Sequence, residues 1–188
     1  GSVYAGLLEH VRAAKGRVVV TSFASNAARL QTLGRVAKES GRKLCLAGRS
    51  LQRILTVAQA NGYLTDLPEL VDMEAVDGLR RNEVLVIATG GQGEPRAALG
   101  RIAEGTHPIK LEEGDTVIFS SRQIPGNEMA IGRVMNQLAR ANVRMVTEKQ
   151  GHVHVSGHPA RSIQWRCDPP CPQRPRDDRP RADGAFDP

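Results

Sequence analysis

Apolar side chains recur along residues 1–160 with two alternating periods. Stretches with helical spacing, such as Leu7, Val11 and Ala14, alternate with short runs rich in β-branched and other apolar residues. This alternation is typical of a parallel sheet with crossover helices. It predicts a doubly wound, mostly parallel α/β sheet with helices on both faces. The expected strands cover residues 17–22, 43–47, 83–89, 116–120 and 144–146. Five helices are expected: one that ends before residue 16, one over 27–40, one that ends at 61–62, one over 96–103 and one over 128–141.

The composition changes abruptly after residue 160. Residues 161–188 are rich in proline, arginine and aspartate, carry the single tryptophan, and show almost no aliphatic periodicity. Such segments bury too little apolar surface to offset their ordering entropy. We therefore predict one α/β domain over residues 1–160 and a disordered or non-native tail over 161–188. Cys167 and Cys171 could form half a zinc site, but no second ligand pair follows, so no metal site is predicted.

The charge balance favours a polyanionic partner. The 188 residues carry a formal net charge of +6, and only 3% are aromatic, which suits a ligand held through phosphates better than one held by extensive base stacking. Ordinary solubility charge explains the same number equally well. No apolar run has the length of a membrane helix, no secretory signal is present, and three cysteines form no disulfide framework. These features predict a cytoplasmic protein without a membrane partner.

Four polar loops follow predicted strands and should meet at one edge of the sheet. In doubly wound sheets, ligands bind beyond the carboxyl ends of the strands. Hydroxyl, backbone and guanidinium donors in such loops can hold a phosphate, but a serine or asparagine before a helix is equally typical of a simple cap. The loops are residues 21–26 (TSFASN), 48–50 (GRS), 89–95 (TGGQGEP) and 120–127 (SSRQIPGN).

A histidine-rich segment, HVHVSGH, closes the predicted domain at residues 152–158. Alternation with valine places His152 and His154 on the same face of an extended segment. Three interpretations stay open: anion binding or acid/base chemistry, metal ligation, and a purely structural cluster. His10 and His107 occur in ordinary surface contexts, and we predict no role for them.

Four motifs in this order and spacing resemble bacterial ribonuclease J: VTSFASN ending at residue 26, ATGGQGEP at 95, VIFSSRQIPGN at 127 and HVSGH at 158. The similarity covers roughly residues 1–161 and resembles the β-CASP domain of that family. It implies RNA processing and decay, with 5′-to-3′ exonuclease and some endonuclease activity, by a zinc-activated water in a cleft between two domains. A nucleotide-binding Rossmann domain would need a glycine fingerprint after the first strand, which residues 23–26 lack.

The resemblance also implies roles for particular residues. His158 resembles the β-CASP histidine beside the metals, which would act in catalysis by protonating the leaving oxygen or stabilising charge on the scissile phosphate. The implied partner is RNA, preferably 5′-monophosphorylated, and the complete enzyme would be a homo-oligomer. The residues implied to bind the RNA phosphate are Ser25, Asn26, His154, Val155, Ser156, Gly157 and His158.

The departures from the family set the limits of this prediction. The His-x-His-x-Asp-His and Pro-Val-His-Gly-Glu metal motifs do not occur, so zinc would be bound by a domain absent from this chain. Gly91 replaces a serine that is usual in the family. Two hypotheses follow. The chain is a catalytically silent fragment of a zinc-dependent ribonuclease, or it is a free-standing module that binds RNA 5′ ends or pairs with another chain.

Overall fold

Five helices and five strands alternate along the part of the chain that the computed structural model describes, residues 3–154. The predictions for residues 155–158, Cys167, Cys171 and the tail at 161–188 lie outside these residues. Two short 3-10 helices, Met73–Gly78 and Arg81–Glu83, precede the third strand. The elements are α1 (Val3–Ala13), β1 (Val18–Thr21), α2 (Ala27–Glu39), β2 (Lys43–Ala47), α3 (Arg49–Ala60), β3 (Val84–Ala88), α4 (Ala98–Ala103), β4 (Thr116–Phe119), α5 (Glu128–Arg140) and β5 (Arg144–Val146).

All five strands form one parallel sheet in the order β2-β3-β1-β4-β5. Strand β1 is central: Val19 aligns with Val86 of β3 on one side and with Val117 of β4 on the other. Every residue of β1 is buried, as expected for a parallel strand covered on both faces. The first loop of the carboxyl edge, residues 22–26, therefore lies between the loops that follow β3 and β4.

The sheet separates two apolar layers. Val18 and Val20 pack with residues of α1, α2 and α3, whereas the intervening Val19 packs with residues of α4 and α5. Successive strand residues point to opposite faces, so both faces need a helical cover. The α/β architecture with helices on both faces is therefore confirmed.

Buried charged residues join the elements at the amino edge of the sheet, where the strands begin. Asp115 accepts hydrogen bonds from the backbone amide of Arg17 (2.8 Å) and from Arg81 Nε (3.0 Å). The guanidinium of Arg17 in turn donates to Asp77 Oδ1 at 2.7 Å, and Arg42 donates to the carbonyl oxygen of Ala14 at 2.7 Å. Charged side chains are rarely buried unless they are paired in this way. These contacts stabilise the fold.

Strands β2 and β5 have the predicted bounds, and the other elements differ from prediction by a few residues at their ends. The predicted surface position of His107 is wrong, because its side chain is only 5% exposed. Its Nδ1 accepts a hydrogen bond from the amide of Ile109, which belongs to the apolar layer beneath α4 and α5. Burial of Ile109 draws His107 inward. Within residues 3–154, no helix has the length and apolar character to cross a membrane.

Candidate RNA-phosphate site at the carboxyl edge

The predicted polar loops meet at the carboxyl edge of the sheet because all the strands are parallel. Gln92 connects the loops that follow β3 and β4: its Nε2 donates to the carbonyl of Arg122 at 2.7 Å, and its Oε1 accepts from the amide of Ile124 at 2.9 Å. Gly93 has a φ of +71°, and a β-carbon there would lie 2.6 Å from the carbonyl carbon of Ala130. Only glycine fits this turn. The two loops are therefore braced against each other.

The loop after β1 leads directly into helix α2. Ser25 and Asn26 are exposed, and Asn26 Oδ1 accepts the backbone amide of Arg29 at 3.0 Å. Asn26 is thus the N-cap of α2, which supports the structural interpretation for its side-chain oxygen. Ser25 remains available at the positive end of a 13-residue helix, where an anion is favoured.

Arg29 links this helix to the histidine segment. Its Nη1 donates to Ser120 Oγ at 2.8 Å and to the carbonyl oxygen of Val153 at 3.1 Å. Ser120 Oγ also donates to that carbonyl, at 2.6 Å. Arg29 is 9% exposed, and burial lowers the pKa of its guanidinium. Among residues 3–154 it forms no ion pair with a carboxylate. Its charge is therefore held near the candidate site by neutral groups alone.

His154 follows this anchor and is half-buried at the end of β4. Its Nδ1 lies 3.3 Å from the carbonyl oxygen of Ser120. Burial lowers the pKa of His154, the hydrogen bond to Ser120 opposes that effect, and the charge of Arg29 reinforces it. The ring is therefore mainly neutral at pH 7. His152 is exposed and Val153 is fully buried, so the two histidines lie on the side opposite the valine, in the predicted alternation.

The predicted site residues form two groups, one within the described residues and one outside them. Asn26 and His154 are connected through Arg29, and Ser25 lies one residue before the cap. Val155, Ser156, Gly157 and His158 lie outside the described residues. Arg29 is a residue that the sequence predictions missed. It lies four residues before Leu33 and seven before Val36, so helical spacing places it on the buried face of α2.

The departure at Gly91 has a visible structural counterpart. A β-carbon at this position would lie 2.7 Å from Ser121 Oγ and 2.8 Å from Thr21 Oγ1. The Thr21 hydroxyl is buried and has no hydrogen-bond partner within residues 3–154. A serine at position 91 would crowd both hydroxyls, and it would also supply one of them with a partner.

The donor set does not fit a zinc ion. Residues 3–154 contain no group of three or more histidine, cysteine or carboxylate side chains that could hold a metal. The zinc that the resemblance implies would have to be bound by other residues. The described residues offer cations, hydroxyls and backbone amides, which bind phosphate.

Comparison with known proteins identifies the family. The family model described as "Ribonuclease J, beta-CASP domain" matches residues 15–138. The chain is 39% identical over 158 residues to Ribonuclease J of Sinorhizobium meliloti, covering 81% of this chain and 28% of that protein. It is 43% identical over 150 residues to Ribonuclease J of Mycolicibacterium smegmatis, covering 79% and 27%.

A third relative, Ribonuclease J 1 of Streptococcus pyogenes, is 39% identical over 155 residues, covering 81% of this chain and 28% of that protein. The chain thus spans about a quarter of the length of these relatives. The parallel sheet, the polar carboxyl edge, the family model and the relatives agree. The chain therefore belongs to the ribonuclease J family and corresponds to its β-CASP domain.

Proposed function

We propose that this domain binds the 5′-monophosphate end and the phosphate backbone of RNA for zinc-dependent hydrolysis of phosphodiester bonds. The complete enzyme would act as a 5′-to-3′ exonuclease with endonuclease activity, in the cytoplasm and as a homo-oligomer. Family membership supports a ribonuclease. The observation that carries the role of this chain is the link through Arg29 between the N-terminus of α2 and the residues next to His154.

Each candidate residue has a defined part in this proposal. The Ser25 hydroxyl donates to a terminal phosphate oxygen, and the positive end of α2 stabilises the charge. Ser156 and the backbone amides of Val155 and Gly157 add further donors, while His158 assists departure of the leaving oxygen. The zinc, bound by residues other than 3–154, supplies an activated water when present.

His154 is expected to bind phosphate in its protonated form. In the neutral ring, a proton on Nδ1 is shared with the Ser120 carbonyl, so Nε2 is an acceptor and cannot donate to phosphate. Protonation adds an Nε2–H donor and a positive charge. Because burial lowers the pKa of His154, this form is populated only at a more acidic pH than for an ordinary histidine, and bound phosphate favours it.

The test compares RNA oligonucleotides that differ only in a 5′-monophosphate or a 5′-hydroxyl, using the full chain. We expect at least tenfold tighter binding of the phosphorylated RNA, since charge-assisted hydrogen bonds contribute about 1.5–3 kcal/mol each. Ser25→Ala and His154→Ala should each reduce this preference. The matched controls are Thr56→Ala, an exposed hydroxyl on α3, and His152→Ala, which should leave it unchanged.

Lowering the pH gives a second readout. The 5′-phosphate preference should rise as the pH is lowered from neutral into the acidic range, where His154, with its lowered pKa, takes up its proton. The phosphate itself loses charge near pH 6, and the His154→Ala variant measures that opposing effect alone. Equal binding of the two RNAs at every pH would contradict the proposal.

A turnover assay with added zinc tests whether this chain is catalytically silent, and the binding variants test whether it is instead a free-standing module. We expect RNA binding without hydrolysis, because the described residues lack a metal-ligand cluster. Hydrolysis by the purified chain would contradict catalytic silence. Binding that is unaffected by Ser25→Ala and His154→Ala would instead favour a module that recognises RNA or another chain through a different surface.

A further inference from the structure

A cleft of about 590 Å³ opens at the carboxyl edge among the loops that follow β1, β2 and β3. His154 does not line it. The cleft is lined by Arg49, Arg96 and Arg101, and we refer to it as the arginine cleft. It lies on the side of loop 22–26 that faces β3 and β2, whereas Arg29 connects that loop to β4 and Val153.

The charges in the arginine cleft are not neutralised by the surrounding residues. Within residues 3–154, none of its three arginines forms an ion pair. The one lining carboxylate, Glu94, accepts the backbone amide of Gln92 at 2.9 Å. Three exposed cations against one carboxylate leave a site that attracts anions.

Two unusual backbone conformations shape the arginine cleft. Arg96 has a φ of +61°, a left-handed conformation that is unfavourable for a residue with a side chain. Gly48 has a φ of +141°, and a β-carbon there would lie 2.9 Å from Thr89 Oγ1, so only glycine lets the loops after β2 and β3 approach this closely. Gly48 also provides no side-chain cap for helix α3, which leaves its positive end open to an anion.

The remaining lining groups suit a nucleotide. Ser22 and Ser50 bring hydroxyls. His107 is held neutral, since burial lowers its pKa, and because its Nδ1 accepts from Ile109 its proton is on Nε2, which can donate. Phe23 lines the same cleft and is 39% exposed, although large apolar side chains are usually buried. An exposed aromatic ring beside exposed arginines is typical of single-stranded nucleic-acid sites.

We propose that the arginine cleft binds the phosphodiester backbone of single-stranded RNA, with a base stacked on Phe23, as a second contact separate from the 5′-phosphate site. The inference rests on RNA being the ligand in the proposed function. The planar forks of Arg49, Arg96 and Arg101 match phosphate oxygens. This contact does not involve the 5′ end, so it strengthens binding of single-stranded RNA with or without a 5′-monophosphate.

The test measures binding of a ten-nucleotide uridine RNA to the full chain at several salt concentrations. The variant carries Arg49→Ala, Arg96→Ala and Arg101→Ala together. We expect at least a tenfold loss of affinity for both 5′-monophosphate and 5′-hydroxyl RNA. The slope of log affinity against log salt should fall by about 2, since each phosphate contact to a single strand contributes about 0.7. Phe23→Leu should weaken binding about fivefold or more without changing that slope.

The matched control removes three arginines at the opposite edge of the sheet, with Arg12→Ala, Arg140→Ala and Arg144→Ala. It changes net charge equally, and both the affinity and the salt slope should stay close to those of the unchanged chain. Circular dichroism shows whether each variant is folded. If both triple variants lose affinity equally, the effect is one of net charge and the cleft proposal is overturned.

Other ligands give distinct outcomes. The proposal would be overturned if the triple variant of the cleft lost binding of a polyglutamate peptide or a free mononucleotide but bound RNA as the unchanged chain does. If the chain does not distinguish the two 5′ ends but the cleft variant still weakens both RNAs, the 5′-phosphate site fails and the arginine cleft stands. If the chain binds no RNA, both proposals fail.

Discussion

The two edges of the sheet use arginine in opposite ways. At the amino edge, the guanidinium of Arg17 is held by Asp77, that of Arg81 by the fully buried Asp115, and that of Arg42 by backbone carbonyls. At the carboxyl edge, Arg49 and Arg96 line an open cleft without a carboxylate partner among residues 3–154. The same side chain is internally neutralised at one edge and left with an unmatched charge at the other.

The difference teaches how to separate stabilising charges from those available to a ligand. A buried ion pair that loses one partner leaves an isolated charge in the protein, which is costly. An exposed arginine without a partner contributes little to stability, so its removal is expected to affect binding instead. Arg29 combines both properties: it is buried like the stabilising arginines, but it donates only to uncharged oxygens, so its charge is not balanced by a carboxylate among residues 3–154.

The largest effect is expected from Asp115→Ala. It leaves the backbone amide of Arg17 and the guanidinium of Arg81 without their shared acceptor and should lower the free energy of unfolding by about 3–5 kcal/mol. Urea denaturation measures this loss. Glu112→Ala is the control, since Glu112 pairs with Arg81 at 2.9 Å in an exposed position and should cost about 1 kcal/mol or less. A similar cost for both variants would remove the distinction between the edges.

An intermediate effect is expected from Arg29→Gln. The shorter side chain cannot bridge Ser120 and Val153, so stability should fall by about 1–3 kcal/mol, and the 5′-phosphate preference should fall with it. Arg35→Gln on the same helix is the control. Arg35 is exposed, lies 5.0 Å from the ring centroid of Tyr4, and its loss should cost about 1 kcal/mol or less. Unchanged phosphate preference in Arg29→Gln would assign Arg29 to stability alone.

The smallest effect is the difference in stability between two substitutions of Gly91, which lies beside Gln92 in the loop after β3. Gly91→Ala should destabilise the fold by about 1–3 kcal/mol through crowding. Gly91→Ser should cost about 1 kcal/mol less, since its hydroxyl can pair with Thr21 Oγ1. Thermal unfolding of both variants, repeated in a Thr21→Val background, checks this. The advantage of serine should vanish there, and its persistence would show that another partner is responsible.

The sequence predicts the order and type of the five α-helices and five strands within residues 3–154, because their apolar periods are strong, but it does not predict the two 3-10 helices. Helix α2 shows Leu30, Leu33 and Val36 on one face, and β3 is uninterrupted in apolar residues. The parallel carboxyl edge, and with it the meeting of the polar loops, follows from the alternation alone.

Long-range packing decides the features that were missed. The position of β1 between β3 and β4 depends on contacts between distant segments, and no local pattern encodes it. His107 is buried because Ile109 packs into a layer built by α4 and α5. Arg29 was detectable by its helical spacing, but its partners Ser120 and Val153 lie 91 and 124 residues away.

The central position of β1 has a thermodynamic consequence. The loop at residues 22–26 contributes Phe23 to the arginine cleft and Asn26 to the helix cap beside Arg29. A ligand that binds on one side of this loop reduces the conformational entropy of the loop. The second contact then has less entropy to remove when it forms. We therefore expect occupancy of the two sites to be positively coupled, with the same factor in both directions because binding linkage is reciprocal.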